Sequence, residues 1–545
     1  MKKFVSLLAC VLLLVFAVAA FAACNPSGEQ TDELVVYNWA DYIYDYEEDF
    51  EAYYKQATGK NIKITYVTFD TNETMLTRLT QGDSNVDVVC PSEYAIQKLI
   101  ESNMLVPLNY FDEDLYTASF GDAVDGYEHN SGNVERGIID KVSDAFGDLV
   151  IKDTGEHVSM VDYFVPYMYG TLGILYNKYA FMELDIYDAD KMNKANWGIL
   201  FNDDGEGNIL SGGLTGNILM KDSIRDSYAA TIFYMLESGR LNGLVNEDGV
   251  PYTELSAGEL INAVDDTLLA IVRDVLTEQK EQLFGYEVDF GKDDLLQGNA
   301  IVDLAWSGDA LYAVEESWDD SLGEDGDYEL AYYVPHTAGN VWFDGWVVPK
   351  TYNPDHLTAI KLFINFLNTP GAAAQNFMTI GYTPAISPDV LQNSDEARSV
   401  LSEGYLVYDD SWDLKDGDGN ALAQEDCDYA SWEEFVDYFF GYVDEIDGSN
   451  WRYPFVSGEL NKDNDRNVDT LGVMRDFGSK NKDVVTAWNY ARSAGTSALP
   501  LLGWTALAVA VAVGALYLVI LTKRLLAQRV KLPQESDNSE PESQA

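Results

Sequence analysis

The chain has 545 residues, more than one compact hydrophobic core normally serves, so two lobes or domains are expected. It carries 91 Asp and Glu residues against 34 Lys and Arg residues, a formal net charge of -57, which argues against nucleic acid as a partner and favours cations or small amines. The 4 histidines are scattered and the 4 cysteines match no metal-ligand spacing, so no metal site, cofactor or histidine-dependent catalytic centre is predicted.

The N-terminus predicts export and a lipid anchor. Residues 1–23 have the charged start and the apolar stretch of a secretory signal. The small residues before Cys24 resemble the cleavage motif of bacterial lipoproteins, in which the cysteine carries lipid. Residues 24–33 are polar and are interpreted as a tether. The alternative is an ordinary cleaved signal that happens to be followed by a cysteine.

The next segments alternate between strand and helix patterns. Short β-rich or apolar runs predict strands, and amphipathic runs predict the helices between them. The strands are predicted at residues 34–37, 62–67 and 86–89, and the helices at residues 47–57 and 73–79. Such alternation indicates a parallel, doubly wound sheet, in which ligands bind beyond the carboxyl ends of the strands. A nucleotide is disfavoured because neither turn carries a glycine-rich phosphate loop.

Aromatic and polar residues follow the predicted strands at that edge of the sheet. They are Trp39, Asp41 and Tyr42 after the first strand, and Ser92 and Tyr94 after the third. Taken singly, such aromatics would be assigned to the core, and such carboxylates to solvated loops or helix caps. Their position together at strand ends favours a ligand site.

Further along the chain, the α/β pattern resumes between two regions of different composition. Strands are predicted at residues 169–176 and 301–306, and helices at residues 227–236 and 356–367. Residues 111–160 and about 387–465 are rich in Asp, Glu, Gly and Ser, and are interpreted as surface insertions on the core fold.

The C-terminal region predicts a membrane-spanning helix. Residues 499–522 carry no charge and are long enough to cross a hydrocarbon core of about 30 Å. Basic residues follow at once, so residues 523–545 are predicted to be a cytoplasmic tail by the positive-inside rule. The protein is therefore expected on the outer face of the cytoplasmic membrane, held there by this helix and by lipid on Cys24. The alternative is a buried core helix.

Nine short segments share the order and spacing of one family. They include YNWADY at residues 37–42 and DSIRD at residues 222–226, and the others are residues 72–75, 88–94, 165–170, 306–308, 342–345, 380–384 and 474–478. Together they resemble the spermidine/putrescine-binding proteins of bacterial ABC transporters. The resemblance spans most of residues 33–492.

This resemblance implies an α/β, two-lobed, periplasmic-binding-protein-like fold of type II. Each lobe would be a doubly wound sheet flanked by helices, with the ligand in the cleft between the lobes. The first lobe would comprise residues 34–165 and 345–386, and the second residues 166–344 with parts of 466–492. Residues 387–465 would be an acidic insertion. The chain would cross between the lobes near Pro166 and again near residues 340–344.

The resemblance also implies a set of ligand-binding residues. They are Trp39, Asp41, Tyr42, Ser92, Tyr94, Asp222, Ser223, Asp226, Trp306, Trp342, Asp344 and Tyr382. Three positions depart from the family pattern. Ser223 stands where a carboxylate is frequent, Ala40 replaces a threonine, and Met474 replaces a glutamine. These departures leave the preferred polyamine open.

Such residues suit a polyamine, a methylene chain that carries several ammonium groups. Each ammonium needs a carboxylate or an aromatic face to offset its lost hydration, and the methylenes need apolar walls. The predicted function is capture of spermidine or putrescine for an ABC permease driven by a separate ATPase, without catalysis. The alternatives are a binding protein for iron, thiamine or an amino acid, a surface carbohydrate-active enzyme, and a structural surface protein.

Overall fold

The structure is a computed structural model that describes residues 31–82, 85–120, 124–184, 196–203, 213–317, 329–335, 337–408, 414–415, 421–440 and 470–494. The predicted signal peptide, Cys24 and the predicted cytoplasmic tail lie outside the described residues. The predicted tether of residues 24–33 ends earlier than expected, because a strand already begins at Thr31.

The strands are, in chain order, β1 (Thr31–Trp39), β2 (Asn61–Phe69), β3 (Val88–Val89), β4 (Leu105–Val106), β5 (Leu149–Val150), β6 (His157–Val158), β7 (Val165–Asn177), β8 (Ile218–Lys221), β9 (Leu283–Glu287), β10 (Val302–Trp306), β11 (Leu330–Tyr333), β12 (Gly339–Trp346), β13 (Val348–Pro349), β14 (Thr383–Pro384) and β15 (Leu471–Gly472).

The α-helices are α1 (Glu47–Thr58), α2 (Asn72–Thr80), α3 (Glu93–Glu101), α4 (Glu113–Thr117), α5 (Arg136–Phe146), α6 (Lys178–Glu183), α7 (Ile224–Glu237), α8 (Ala257–Ile261), α9 (Asp266–Lys280), α10 (Gly291–Leu296), α11 (Ser307–Glu316), α12 (Leu357–Leu367), α13 (Pro370–Ile380), α14 (Pro388–Asn393), α15 (Asp395–Gly404), α16 (Trp432–Phe439) and α17 (Asn481–Ser493).

The first lobe is built on a parallel sheet in the order β2, β1, β3. Gly59 ends α1 in the left-handed conformation, with φ of 73°, and so lets the chain turn directly into β2. Thr71 caps α2 by accepting a hydrogen bond from the Thr74 N–H group. Because the strands are parallel, the ends of β1 and β3 lie at one edge of the sheet, which places Trp39 near Ser92.

The second lobe contains a mixed sheet, in the order β15, β12, β7, β10, β8, β9. Strands β8, β9 and β10 are parallel neighbours, as a doubly wound sheet requires. The long strand β7 runs antiparallel to β10, β11 and β12. The prediction of a doubly wound sheet in each lobe is therefore only partly right for this lobe. The difference arises because the chain enters this lobe on β7 and leaves it on β12, which are adjacent strands of opposite direction.

Hydrophobic burial ties the two lobes together and gives the insertion a core of its own. All 13 residues of β7 are buried, so the crossover between the lobes is enclosed. Residues of the predicted acidic insertion form a separate apolar cluster with α13, in which Phe377 packs edge-on against Phe439 at 4.8 Å between ring centroids. Helix α5, within the other predicted insertion, buries Ile138 and Val142 in the main core.

The predicted fold class is wrong on one point, the transmembrane helix. None of the helices in the described part of the chain is long and apolar enough to cross a membrane. The 15-residue helix α9 spans only about 22 Å at 1.5 Å per residue, less than a hydrocarbon core of about 30 Å. Residues 499–522 lie outside the described residues. The described residues therefore form two lobes and no membrane-spanning helix.

Candidate ligand-binding cleft

The cleft centres on Asp344, which lies on β12 where the chain returns to the first lobe. The carboxyl group is buried, and the residue is 6% exposed. Its Oδ2 atom accepts a hydrogen bond of 3.0 Å from the Tyr42 hydroxyl, and the Ser92 side chain also hydrogen-bonds to this carboxyl group. The Oδ1 atom has no hydrogen-bond partner among the described residues. Asp344 thus presents a buried acceptor that remains free.

Asn72 fixes the first-lobe wall of the cleft. It is buried at the start of α2, and its side-chain amide donates to Ser92 Oγ and to the Tyr94 hydroxyl, each at 3.0 Å. Its Oδ1 atom accepts the Ser92 N–H group at 3.2 Å. Trp39, the last residue of β1, packs on Phe69 with ring centroids 4.6 Å apart. The ends of β1 and β3 are thereby held in one arrangement.

Two aromatic rings stand beside Asp344 where the lobes meet. The Trp342 indole N–H group donates to the Thr171 carbonyl at 3.3 Å, which fixes the ring against β7. Tyr382 lies 5.7 Å from Trp342 and 5.2 Å from Tyr42, measured between ring centroids. A side chain at Gly170 would place its Cβ 2.6 Å from Trp342, so the close approach of this ring requires glycine.

Asp226 supplies a second buried carboxyl group from the second lobe. It lies in the first turn of α7, with the Ser223 and Trp306 side chains beside its carboxyl group. Ser223 also caps α7, accepting the Asp226 N–H group at 3.4 Å. Trp306 is the last residue of β10, so a strand end again delivers the residue to the cleft.

Three buried carboxyl groups, named here the inner carboxyls, lack sufficient positive charge. They are Asp226, Asp344 and Glu93, whose Oε2 atom accepts the Phe343 N–H group at 3.0 Å. Burial raises the pKa of Asp344 to about 7 and that of Glu93 to about 8, and it raises the pKa of Asp226. Such shifts mean that ionisation is costly there until a cation arrives.

A second charged group, named here the lysine cluster, adjoins them. Its members are Lys221, Lys292, Glu287, Asp303 and Asp309. The Lys221 ammonium lies 2.5 Å from Glu287, and the Lys292 ammonium lies 2.7 Å from Asp309. Burial and the nearby Asp309 raise the pKa of the Tyr382 hydroxyl, so this tyrosine of the first lobe lies next to the cluster on the second lobe. Glu287 and Asp309 are therefore compensated by lysines of the chain itself.

The structure does not bring two of the predicted site residues into this arrangement. Asp41 is exposed on a turn, in the left-handed conformation with φ of 50°. Asp222 forms an ion pair with Arg492 on α17. The remaining predicted residues lie in the cleft walls described above. Among them, Ser223 accepts a hydrogen bond from the Asp226 N–H group.

Sequence reasoning missed three buried charges. The sequence patterns do not select Glu93, Lys221 or Arg225 as site residues. Arg225 is buried, with its guanidinium carbon 3.7 Å from the centre of the Phe477 ring and 5.7 Å from that of Tyr94. One signal was available, because Lys221 is the last residue of β8 and strand ends line the cleft.

A two-lobed fold with a charged, aromatic cleft between the lobes defines a solute-binding protein. The family model for bacterial extracellular solute-binding proteins matches residues 48–399, well over half of the chain. The chain therefore belongs to this family.

Relatives within the family carry more specific names. The spermidine/putrescine-binding periplasmic protein of Salmonella typhimurium is 23% identical over 417 residues, covering 76% of this chain and 95% of that protein. The putrescine-binding periplasmic protein SpuD of Pseudomonas aeruginosa is 25% identical over 368 residues, covering 67% and 81%. The crystal structure of the spermidine/putrescine ABC transporter substrate-binding protein PotD from Streptococcus pneumoniae has a TM-score of 0.47 and 22% identity, covering 85% and 99%.

These matches confirm the resemblance predicted from the nine segments. The family is one of extracellular solute-binding proteins, which confirms the prediction of a binding protein and agrees with a location outside the cytoplasm. The roles of the individual cleft residues remain predictions.

Proposed function

We propose that this protein captures a polyamine, spermidine or putrescine, in the cleft between its lobes and delivers it to the permease of an ABC importer. The observation that carries the proposal is Asp344, a buried carboxyl group with one oxygen atom unpartnered among the described residues. The names of the relatives, which are spermidine- and putrescine-binding proteins, support the same class of ligand.

An ammonium group beside Asp344 would meet both needs of the site. It would donate to the free oxygen atom and supply the missing positive charge. Trp342 and Tyr382 would offer aromatic faces, each worth about 0.5–2 kcal/mol to a cation. Asp226 lies within electrostatic range of Asp344 and would receive a second ammonium, with Trp306 alongside the methylene chain.

Contacts between the lobes indicate how the ligand would be enclosed. Glu93 of the first lobe accepts the N–H group of Phe343, and Gln97 accepts that of Asp476 at 2.9 Å. The Tyr382 ring lies against Gly308 of the second lobe, where an added Cβ would come within 2.4 Å of the ring. A ligand that binds carboxyl groups of both lobes would stabilise this closed arrangement by mass action.

Arg225 favours a second candidate, an amino acid with a basic side chain. The Nε and Nη1 atoms of Arg225 are buried without hydrogen-bond partners among the described residues, and an arginine is well suited to bind a ligand carboxylate. Its guanidinium already lies over the rings of Phe477 and Tyr94, however, which fits a role between the lobes.

Isothermal titration of the full-length protein with putrescine, spermidine, ornithine and arginine tests the proposal. We expect heat and a raised melting temperature with at least one of the two polyamines, and neither with the amino acids. Binding of an amino acid in preference to both amines would establish the second candidate. Absence of any response to the amines would overturn the proposal.

We also propose that lipid on Cys24 holds the protein at the outer face of the membrane after removal of residues 1–23. The support is the sequence motif alone. In fractionated cells, Cys24→Ser should shift the protein from the membrane fraction towards the soluble extracytoplasmic fraction, because a lipid chain supplies hydrophobic anchoring. An unchanged distribution would contradict this anchor.

A further inference from the structure

The chain places an ammonium of its own on one of the cleft rings. Lys221 ends β8 and is 2% exposed, and its Nζ atom lies 4.3 Å from the centre of the Trp306 ring. The same atom lies 2.5 Å from Glu287 Oε1 and donates to the Val288 carbonyl at 2.9 Å. One face of Trp306 is thus already covered by a cation.

Lys221 remains charged despite its burial. Burial alone would lower its pKa, but the carboxylates of Glu287, Asp303 and Asp309 together raise the pKa above the ordinary value. Asp303 behaves differently from its neighbours. Burial, followed by the nearby Glu287 carboxylate, raises the pKa of Asp303 well above its usual range, and neither of its carboxyl oxygen atoms has a hydrogen-bond partner among the described residues. The two lysines of the cluster are therefore paired with Glu287 and Asp309, at 2.5 Å and 2.7 Å.

Two rings connect the lysine cluster to the inner carboxyls. Trp306 lies beside Asp226 and faces Lys221 with its ring. Tyr382 packs against Trp342 and lies beside Asp309. A ligand that extends from Asp344 past Asp226 would therefore reach the lysine cluster next.

We propose that Lys221 is a specificity-determining residue of the cleft. Its ammonium occupies the position on Trp306 that the third ammonium of a triamine would need. The cleft therefore selects diamines. This inference rests on the proposed function. Two of the inner carboxyls suffice for the two ends of a diamine. A third ammonium would approach Lys221 and Lys292, where like charges oppose it and Glu287 and Asp309 are already paired.

The test uses the full chain and the variant Lys221→Met, which keeps an unbranched side chain of similar length on Trp306 but removes the charge. The unmodified protein should bind putrescine at least about tenfold more tightly than spermidine, because the triamine meets like charge. In Lys221→Met, Glu287 is freed for the third ammonium, so the affinity ratio of spermidine to putrescine should rise at least about tenfold.

Two further variants serve as controls. Adding Glu287→Gln to Lys221→Met should abolish the gain in spermidine affinity, because the carboxylate that would receive the third ammonium is lost. The double variant Lys60→Met and Asp32→Asn removes an ion pair of 3.1 Å at the N-terminal ends of β1 and β2, away from the edge of the sheet that faces the cleft. It should leave the affinity ratio of spermidine to putrescine unchanged.

The outcomes separate this inference from the proposed function. If the unmodified protein binds neither amine, the proposed function fails. If it binds spermidine as tightly as putrescine, the function stands and the inference is overturned, whether or not Lys221→Met folds. If Lys221→Met folds and binds putrescine, but its affinity ratio of spermidine to putrescine equals that of the unmodified protein, the inference is likewise overturned.

Discussion

The inner carboxyls and the lysine cluster lie side by side in one cleft but differ in how their charge is balanced. In the lysine cluster, Lys221 and Lys292 lie within 2.7 Å of carboxylate oxygens of their own chain. Asp344 and Glu93, among the inner carboxyls, receive hydrogen bonds but no ion pair from any lysine in the described part of the chain, and burial raises the pKa of each.

This difference separates a structural charge group from a binding site. A carboxylate that already has its lysine gains little from a ligand, whereas a buried carboxyl group without one gains a great deal. The density of acidic residues alone would not distinguish the two groups. What distinguishes them is whether the fold places lysines within the group, as it does beside Glu287 and Asp309.

Removal of the central inner carboxyl should have the largest effect. Asp344→Asn should weaken amine binding by roughly 2–4 kcal/mol, because an ammonium would remain buried without its carboxylate. Isothermal titration measures the loss. Asp140→Asn, on the exposed face of α5, is the matched control and should bind as the unmodified protein does. If a folded Asp344→Asn variant binds the amine normally, the inner carboxyls do not differ from the lysine cluster as a binding site.

Acidification should have the second largest effect and should weaken amine binding. The pKa of Asp344 is raised to about 7, so at pH 5 a ligand must displace a proton from this group. Affinity should fall by about tenfold per pH unit below pH 7, or about a hundredfold at pH 5, from this group alone. Asp344→Asn should flatten the profile. An affinity that is constant from pH 8 to pH 5 would contradict the raised pKa.

The same group gives the unbound protein a characteristic dependence of stability on pH. Its pKa in the folded state lies above the ordinary value of 3.8, so folding takes up a proton between these values. The contribution of Asp344 to stability is fully present below about pH 4 and is lost as the pH rises through 7. Chemical unfolding of the unmodified protein and of Asp344→Asn, compared at several pH values, isolates this contribution.

Loss of an aromatic wall should have a smaller effect. Trp342→Ala should cost about 1–3 kcal/mol of binding, through lost packing and lost attraction for the cation. Trp342→Phe, which keeps an aromatic face, should recover part of it. If both variants lose the same affinity, the ring acts only through its hydrogen bond to Thr171.

The smallest effect is expected at Asp41, where the sequence pattern and the structure disagree. The family resemblance places Asp41 in the site, but the residue is exposed on a turn. Asp41→Asn should therefore change the binding free energy by less than about 0.5 kcal/mol, as is usual for exposed positions. A loss of affinity comparable to that of Asp344→Asn would show that Asp41 belongs to the ligand-binding site.

Much of the first lobe could be predicted because its strands and helices follow simple periodicities. The strand expected at residues 34–37 lies within Thr31–Trp39, and the helix expected at residues 47–57 within Glu47–Thr58. The direction of β7 could not be predicted in this way, because alternation along one segment does not show which strands become its neighbours. The transmembrane helix is predicted from the apolar length of residues 499–522 and the basic residues after them, which lie outside the described residues, and no described helix is long and apolar enough to cross a membrane.

The cleft was predicted unevenly for a physical reason. Trp342, Asp344 and Tyr382 belong to segments with recognisable order and spacing, so motif reasoning selected them. Glu93 and Lys221 are buried at 1% and 2% exposure, although such residues are ordinarily at the surface. Their burial depends on partners more than sixty residues away, the Phe343 amide and the Glu287 carboxylate, which sequence patterns do not reveal.

Proton release on binding tests the central claim most directly. Titration of the full-length protein with putrescine at pH 7, in two buffers of different ionisation enthalpy, measures the protons exchanged. If the inner carboxyls await a cation, an arriving ammonium lowers the pKa values of Asp344 and Glu93, and about one proton should be released per ligand. Asp344→Asn should release fewer. Tight binding with identical heats in both buffers would show that the inner carboxyls are already ionised, and would contradict the account.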